Sequence, residues 1–208
     1  MKTPRDLRAD EIDLRVQQAK ENGLILLFYK DARCDMAILD ETYGPLNWQR
    51  HHEFKNGNLY CQVSVWDEEK AQWITKEDVG TESNTEAEKG QASDSFKRAN
   101  VNFGIGRELY TAPFTWIRAE DCNIVKGQDR NGKPVYRCND KFRVEKIVIE
   151  NKEITAVAIR NETTGKRVFV WQKPGTAKPA TAIKRGESLN SDNDGFIGYG
   201  DREGQVNG

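Results

Sequence analysis

The chain has 208 residues, 32 of them basic and 33 acidic, for a formal net charge of −1. That balance excludes a uniformly basic surface, so any phosphate-binding site has to be a local concentration of Lys and Arg. A mean hydropathy of −0.80 with 31% charged residues leaves material for one domain with a good core and for polar appendages.

No apolar run reaches bilayer-spanning length, and the opening MKTPRDLRADEIDLR has no apolar secretory segment, so a soluble, unsecreted protein is expected. The four cysteines, Cys34, Cys61, Cys122 and Cys138, form no CxxC pair, and the two histidines, His51 and His52, are adjacent rather than spaced as ligands. Reduced, mostly buried thiols and no metal site are the expectation.

In chain order, Asp10 to Asn22 reads as a short amphipathic helix, with Ile12, Val16 and Ala19 on one face and Gly23 as its stop. The apolar run from Leu24 to Tyr29 reads as a buried strand, and Lys30 to Arg33 as a polar turn. Asp35 to Tyr43 reads as a second short helix, with Met36, Leu39 and Tyr43 inward, closed by Gly44-Pro45.

A strand is expected around Trp48 to Phe54, before the turn Lys55-Asn56-Gly57-Asn58. Leu59, Cys61, Val63 and Val65 then alternate with polar or amphipathic residues, and a hairpin through Asp67 to Gln72 leads into a strand at Trp73 to Val79.

Thr85 to Gly106 organises the chain. It reads as one long helix, with Thr85 and Glu88 as a capping box and Gly104 and Gly106 as its stop. Ala92, Phe96, Ala99 and Phe103 form its apolar stripe, which would cover the preceding strands. Lys97 and Arg98 lie off that stripe, and as a plain solvated pair Arg98 would bond Asp94 four residues back.

Asn131-Gly132 implies a further hairpin within Cys122 to Arg137. Phe142 to Ile149, Glu153 to Ile159 and Arg167 to Trp171 read as a three-stranded meander, with turns at Asn151-Lys152 and Thr164-Gly165. From Lys173 the composition is that of a disordered tail. The expected fold class is therefore α+β: an antiparallel sheet packed by one long helix in a core at 1–118, a β-meander extension at 119–172 and the tail at 173–208.

There is no GxxxxGK[ST] phosphate loop, which argues against an ATP-driven motor. Asp31, Asp35, Asp40 and Glu41 form an acidic cluster that could hold Mg²⁺ in a nuclease. No Ser/His/Asp or Cys/His nucleophile can be assembled.

Arg33 in its turn, Gly44 to Trp48, the hairpin Leu59 to Val79, and Lys97-Arg98-Ala99 with Phe103-Gly104 follow one another in order. This ordered set resembles the phage-type branch of the Rad fifty-two (Rad/Sak) superfamily of single-strand annealing proteins, over residues 8–118. The resemblance implies that Lys97, Arg98 and Arg33 contact DNA. Better-known members carry a further Arg one turn after the Lys-Arg pair, where this chain has Val101, so Lys30, Lys55, Lys89 and Arg107 are candidates to complete the basic track.

A second, outer basic site of the superfamily has no clear counterpart. The resemblance further implies ATP-independent single-stranded DNA binding and annealing in phage recombination and double-strand break repair, without enzymatic turnover or a cofactor. It implies rings or filaments of identical subunits in the bacterial host cytoplasm, with a single-strand-binding protein or an exonuclease as partner. Trp48, Tyr110 or Trp116 could stack on bases. A metal-dependent nuclease and a non-enzymatic adaptor module stand as alternatives.

Overall fold

The computed structural model describes residues 2–81 and 87–176, so Thr85, its capping box and most of the tail lie outside the described residues. The first predicted helix is instead a 3-10 turn at Ala9–Glu11 followed by a strand, β1 (Asp13–Lys20). β1 pairs antiparallel with β2 (Gly23–Tyr29), and the register slips between Val16 and Gln18. That bulge turns two successive residues, Gln17 and Gln18, outward. The inward positions Leu14, Val16 and Ala19 are therefore spaced by two and then three, and Ile12, Val16 and Ala19 imitate a helical repeat.

α1 (Ala32–Tyr43) is capped by the Asp31 side chain at its start and by Gly44, at φ 92°, at its end. Ile38 and Leu39 are fully buried on its inner face. Met36 and Tyr43 are only half-buried.

A three-stranded antiparallel sheet follows, in the order β3 (Trp48–Lys55), β4 (Asn58–Asp67) and β5 (Gln72–Val79). The Asn56-Gly57 pair adopts φ 52° and 77°, the left-handed pair a tight hairpin demands. The alternation in β4 is real: Leu59, Cys61, Val63 and Val65 are all buried.

α2 (Ala87–Val101) packs across β4 and β5 and touches α1. Phe96 and Ala99 are fully buried there. The helix ends at Val101, so the stretch to Gly106 is not one long helix. Phe103 belongs to the turn after it, half-buried with the Lys76 ammonium 4.8 Å above its ring.

The remaining strands are β6 (Thr115–Arg118), β7 (Ile124–Gln128), β8 (Pro134–Cys138), β9 (Phe142–Glu150), β10 (Glu153–Asn161) and β11 (Lys166–Gln172). β7 and β8 form a separate two-stranded hairpin. The meander β9–β11 joins the N-terminal hairpin in one six-stranded antiparallel sheet, ordered β11-β10-β9-β1-β2-β6. β10 is buried along nearly its whole length. Among the described residues no helix is long and apolar enough to cross a membrane.

Candidate nucleic-acid interface

Lys97 and Arg98 lie on α2, which packs against α1, and Arg33 lies in the first turn of α1. Asp31 caps α1 by accepting from the Arg33 amide at 2.7 Å, and grips the exposed Arg33 guanidinium through Nε at 2.9 Å. Those bonds pull the Asp31 carboxyl down to about 2, and the Lys97 ammonium contributes. Lys97 thus leans toward the N-terminus of α1, and it has no hydrogen-bond or ion-pair partner among the described residues.

Arg98, one position on, reaches the other way. Its Nε donates to Asp78 on β5 at 3.1 Å with the side chain 40% exposed. The local partner expected for it, Asp94, instead accepts from the amide and hydroxyl of Thr81. Of Arg33, Lys97 and Arg98, two carry a carboxylate and Lys97 has none among the described residues.

Lys30 lies beneath this surface rather than on it. Its side chain is 4% exposed and its ammonium is paired with Asp35, itself fully buried. Gly106, at φ 68°, closes over the lysine stem, and a Cβ there would collide with Lys30 Cε and Cδ. The other Asp35 oxygen, Oδ2, is buried with no partner.

Burial pushes the Asp35 carboxyl up to about 6, against the pull of Lys30 and Lys97. A carboxyl whose folded pKa is raised above its ordinary 3.8 adds stability below that value and loses it as the pH rises through 6. The stability margin of the wild type over Asp35→Asn is therefore expected to widen as the pH falls from about 7 to about 4.5. Thermal melts of both proteins in the two buffers read this directly, and a narrowing margin contradicts it.

The other candidate cations are not brought to this cluster by any bond in the structure. Lys55, at the β3–β4 turn, bonds Glu77 at 2.8 Å and Glu53 at 3.4 Å. Arg107 donates to the carbonyls of Val101 and Asn102, satisfying the open end of α2. Lys89 is exposed near the start of α2. Of the three aromatics, Trp48 tilts against Phe96 and donates to Asp40 at 2.6 Å, and Trp116 is half-buried. Tyr110, 68% exposed, faces solvent.

Sequence reading missed Arg50, whose guanidinium lies 4.9 Å over the Phe96 ring. Its position on β3 gave no signal, because the contact is made across the sheet to α2.

The four carboxylates of the alternative metal site are each engaged separately: Asp31 with Arg33, Asp35 with Lys30, Asp40 with Trp48 and Glu41 with Arg5. Among the described residues no three His, Cys, Asp or Glu side chains are grouped to hold a metal ion. A cavity of 340 Å³ is lined by Tyr43, Trp66, Ile74 and Phe103 with Asp67, Glu68 and Glu69, and none of the seven candidate cations borders it.

Residues 58–124, which carry β4, β5, α2 and β6, match the model of the Rad52/22 family double-strand break repair protein. Over 106 residues, 50% of this chain, the sequence is 35% identical to the single-stranded DNA-binding protein DdrA of Deinococcus radiodurans. The chain covers 49% of that relative's length. No solved structure matches the chain. The resemblance to the Rad52 type is borne out, with residues 58–118 common to the motif span and the matched family model.

Proposed function

We propose, from a chain that is of the Rad52/22 type over residues 58–124, that it binds single-stranded DNA and anneals complementary strands without nucleotide hydrolysis. The observation that carries this reading is Lys97, inside the matched region, next to Arg98 and close enough to Asp31, the partner of Arg33, to act on its charge, and without an ion-pair partner among the described residues. The name of the similar DdrA protein adds single-stranded DNA as the ligand class.

Lys and Arg hold phosphates without reading sequence, by displacing condensed counterions, and leave base edges open to a complement. Arg98 bonds Asp78 through Nε and leaves its terminal amino groups for a phosphate. Arg33 is similarly exposed, its partner Asp31 already held by the α1 backbone.

One chain supplies only a few such charges, much of them offset by Asp31 and Asp78. Identical subunits in a ring or filament would repeat the cluster along a groove and sum many weak contacts. Base pairing provides the free energy, in keeping with a sequence that has no phosphate loop. A double-strand break repair setting in a bacterial cytoplasm, with a single-strand-binding protein or exonuclease as partner, completes the proposal. Its phage-type refinement rests on motif order alone.

Single-strand affinity is expected to fall linearly on a log–log plot against salt, and the Lys97→Ala, Arg98→Ala variant to reduce that slope by about 1–1.5 for each subunit's pair. Anisotropy titrations at several salt concentrations measure both. A salt-independent affinity would sink the proposal.

A further inference from the structure

The β7–β8 hairpin carries the most concentrated unneutralised positive charge among the described residues. Between residues 124 and 141 there are five basic residues and two aspartates, in a chain whose formal net charge is −1. Lys126, Arg130, Lys133 and Arg137 are all exposed, and residues 125–134 form an unbroken exposed run out to the turn. None of these four side chains makes a hydrogen bond or ion pair among the described residues.

The nearby carboxylates are committed elsewhere. Asp129 accepts from the amides of Asn131 and Lys133, which shapes the turn. Asp140 accepts from Asn123 and Asn161. Glu120 and Asp121 pair with Arg118. By contrast Arg33, Lys55, Arg98 and Arg143 each have an acidic partner.

The register spreads the charges around the ribbon. Lys126 pairs with Tyr136 on the face that also holds Ile124 and Cys138, which pack on the core. Arg137 pairs with Val125, 62% exposed, on the opposite face. Arg130 and Lys133 sit in the turn, where Gly132 takes φ 77°. The base of the ribbon is thus anchored and its outer part presents cations on both faces and at the tip.

We infer that this hairpin is a wing that grips the phosphate backbone of duplex DNA, a site separate from the α2 cluster. A two-stranded ribbon fits a major groove, where cations on both faces meet the two phosphate rails. A single strand would instead call for stacking aromatics, and the hairpin's one aromatic, Tyr136, is half-buried. An acidic peptide would want an apolar seat beside the charges, and the ribbon's one large exposed hydrophobic side chain is Val125. The inference deepens the annealing proposal, since a protein that pairs strands has a duplex as its product, and it rests on that proposal for its setting.

The test compares wild type, a wing variant (Lys126→Ala, Arg130→Ala, Lys133→Ala, Arg137→Ala) and the Lys97→Ala, Arg98→Ala variant. Each is titrated against a labelled blunt duplex and a labelled single strand across a salt series. The wing variant is expected to lose at least about tenfold in duplex affinity and about 2–4 in the duplex salt slope, with single-strand affinity within about threefold of wild type. A charge-preserving set (Lys126→Arg, Arg130→Lys, Lys133→Arg, Arg137→Lys) should bind as wild type does, which separates lost charge from lost fold.

Wild-type duplex binding by the wing variant overturns the inference, as does a wild type that binds no duplex. Loss of single-strand binding alone in the wing variant overturns the duplex assignment. Displacement of duplex by polyglutamate as readily as by unlabelled duplex of equal charge overturns it too, by showing a general polyanion surface. Duplex binding lost in the wing variant, with single-strand binding untouched in the α2 variant, supports the wing and defeats the α2 site instead.

Discussion

Phe96→Ala is expected to remove about 3–5 kcal/mol of stability, the usual cost of deleting a fully buried aromatic ring. The ring is 0% exposed where α2 crosses β4 and β5. Trp48 meets it from β3 at a centroid distance of 6.1 Å, and the Arg50 guanidinium covers it at 4.9 Å. Truncation would open a cavity among three elements that all depend on it, and neither the rigid strands nor the flanking Ala99 can collapse to fill it. Against a total of about 5–15 kcal/mol for a domain, little margin would remain. Denaturant titration should show a lower midpoint with an unchanged slope. A loss below about 1 kcal/mol would mean that α2 is held to the sheet by other contacts. Because Phe96 directly precedes Lys97 and Arg98, Phe96→Leu should restore most of the stability and leave the basic pair in place.

The second large effect is expected at Lys30. Lys30→Met keeps most of the buried stem under Gly106 but leaves the Asp35 carboxylate fully buried with neither oxygen paired to a cation. Removing one partner of a buried ion pair costs about 3–5 kcal/mol, far more than the intact pair contributes. Asp35 would then escape part of that cost by taking up a proton, so the penalty should grow with pH. Lys30→Met with Asp35→Asn together should recover much of the loss, and a double-mutant cycle measures the coupling. A double variant whose loss equals the sum of the two single losses would show that the pair is not coupled.

The strands and turns that rest on local chemistry were legible in the sequence. Asn56-Gly57 announced its hairpin because only such a pair takes two positive φ angles cheaply, β4 showed its period of two, and the meander was marked by its turns at Asn151-Lys152 and Thr164-Gly165. β1 was misread because one bulged residue, Gln17, converts a strand's spacing into a helix's. The end of α2 was placed too late because Phe103 continues the helical spacing although it packs from a turn.

At the site, the order of the motifs pointed to Lys97 and Arg98, while the partner that neutralises Arg98 could not be read. Arg98 takes its carboxylate from Asp78 across the sheet rather than from Asp94 on its own helix. Lys30 sits in a polar-looking turn yet is sealed by Gly106, seventy-six positions away in the sequence. The β7–β8 charges were visible as residues, but their freedom from partners depends on where every nearby aspartate is spent.

The central claim is tested most directly by mixing the protein, without ATP, with two complementary labelled oligonucleotides and following duplex formation. Wild type and the Lys97→Ala, Arg98→Ala variant run side by side, with folding of both checked by thermal melt. Wild type is expected to accelerate pairing well above the spontaneous rate, and the folded variant to lose most of that acceleration. A wild type that leaves the spontaneous rate unchanged, or a variant that anneals as fast as wild type, would contradict an annealing site on α2.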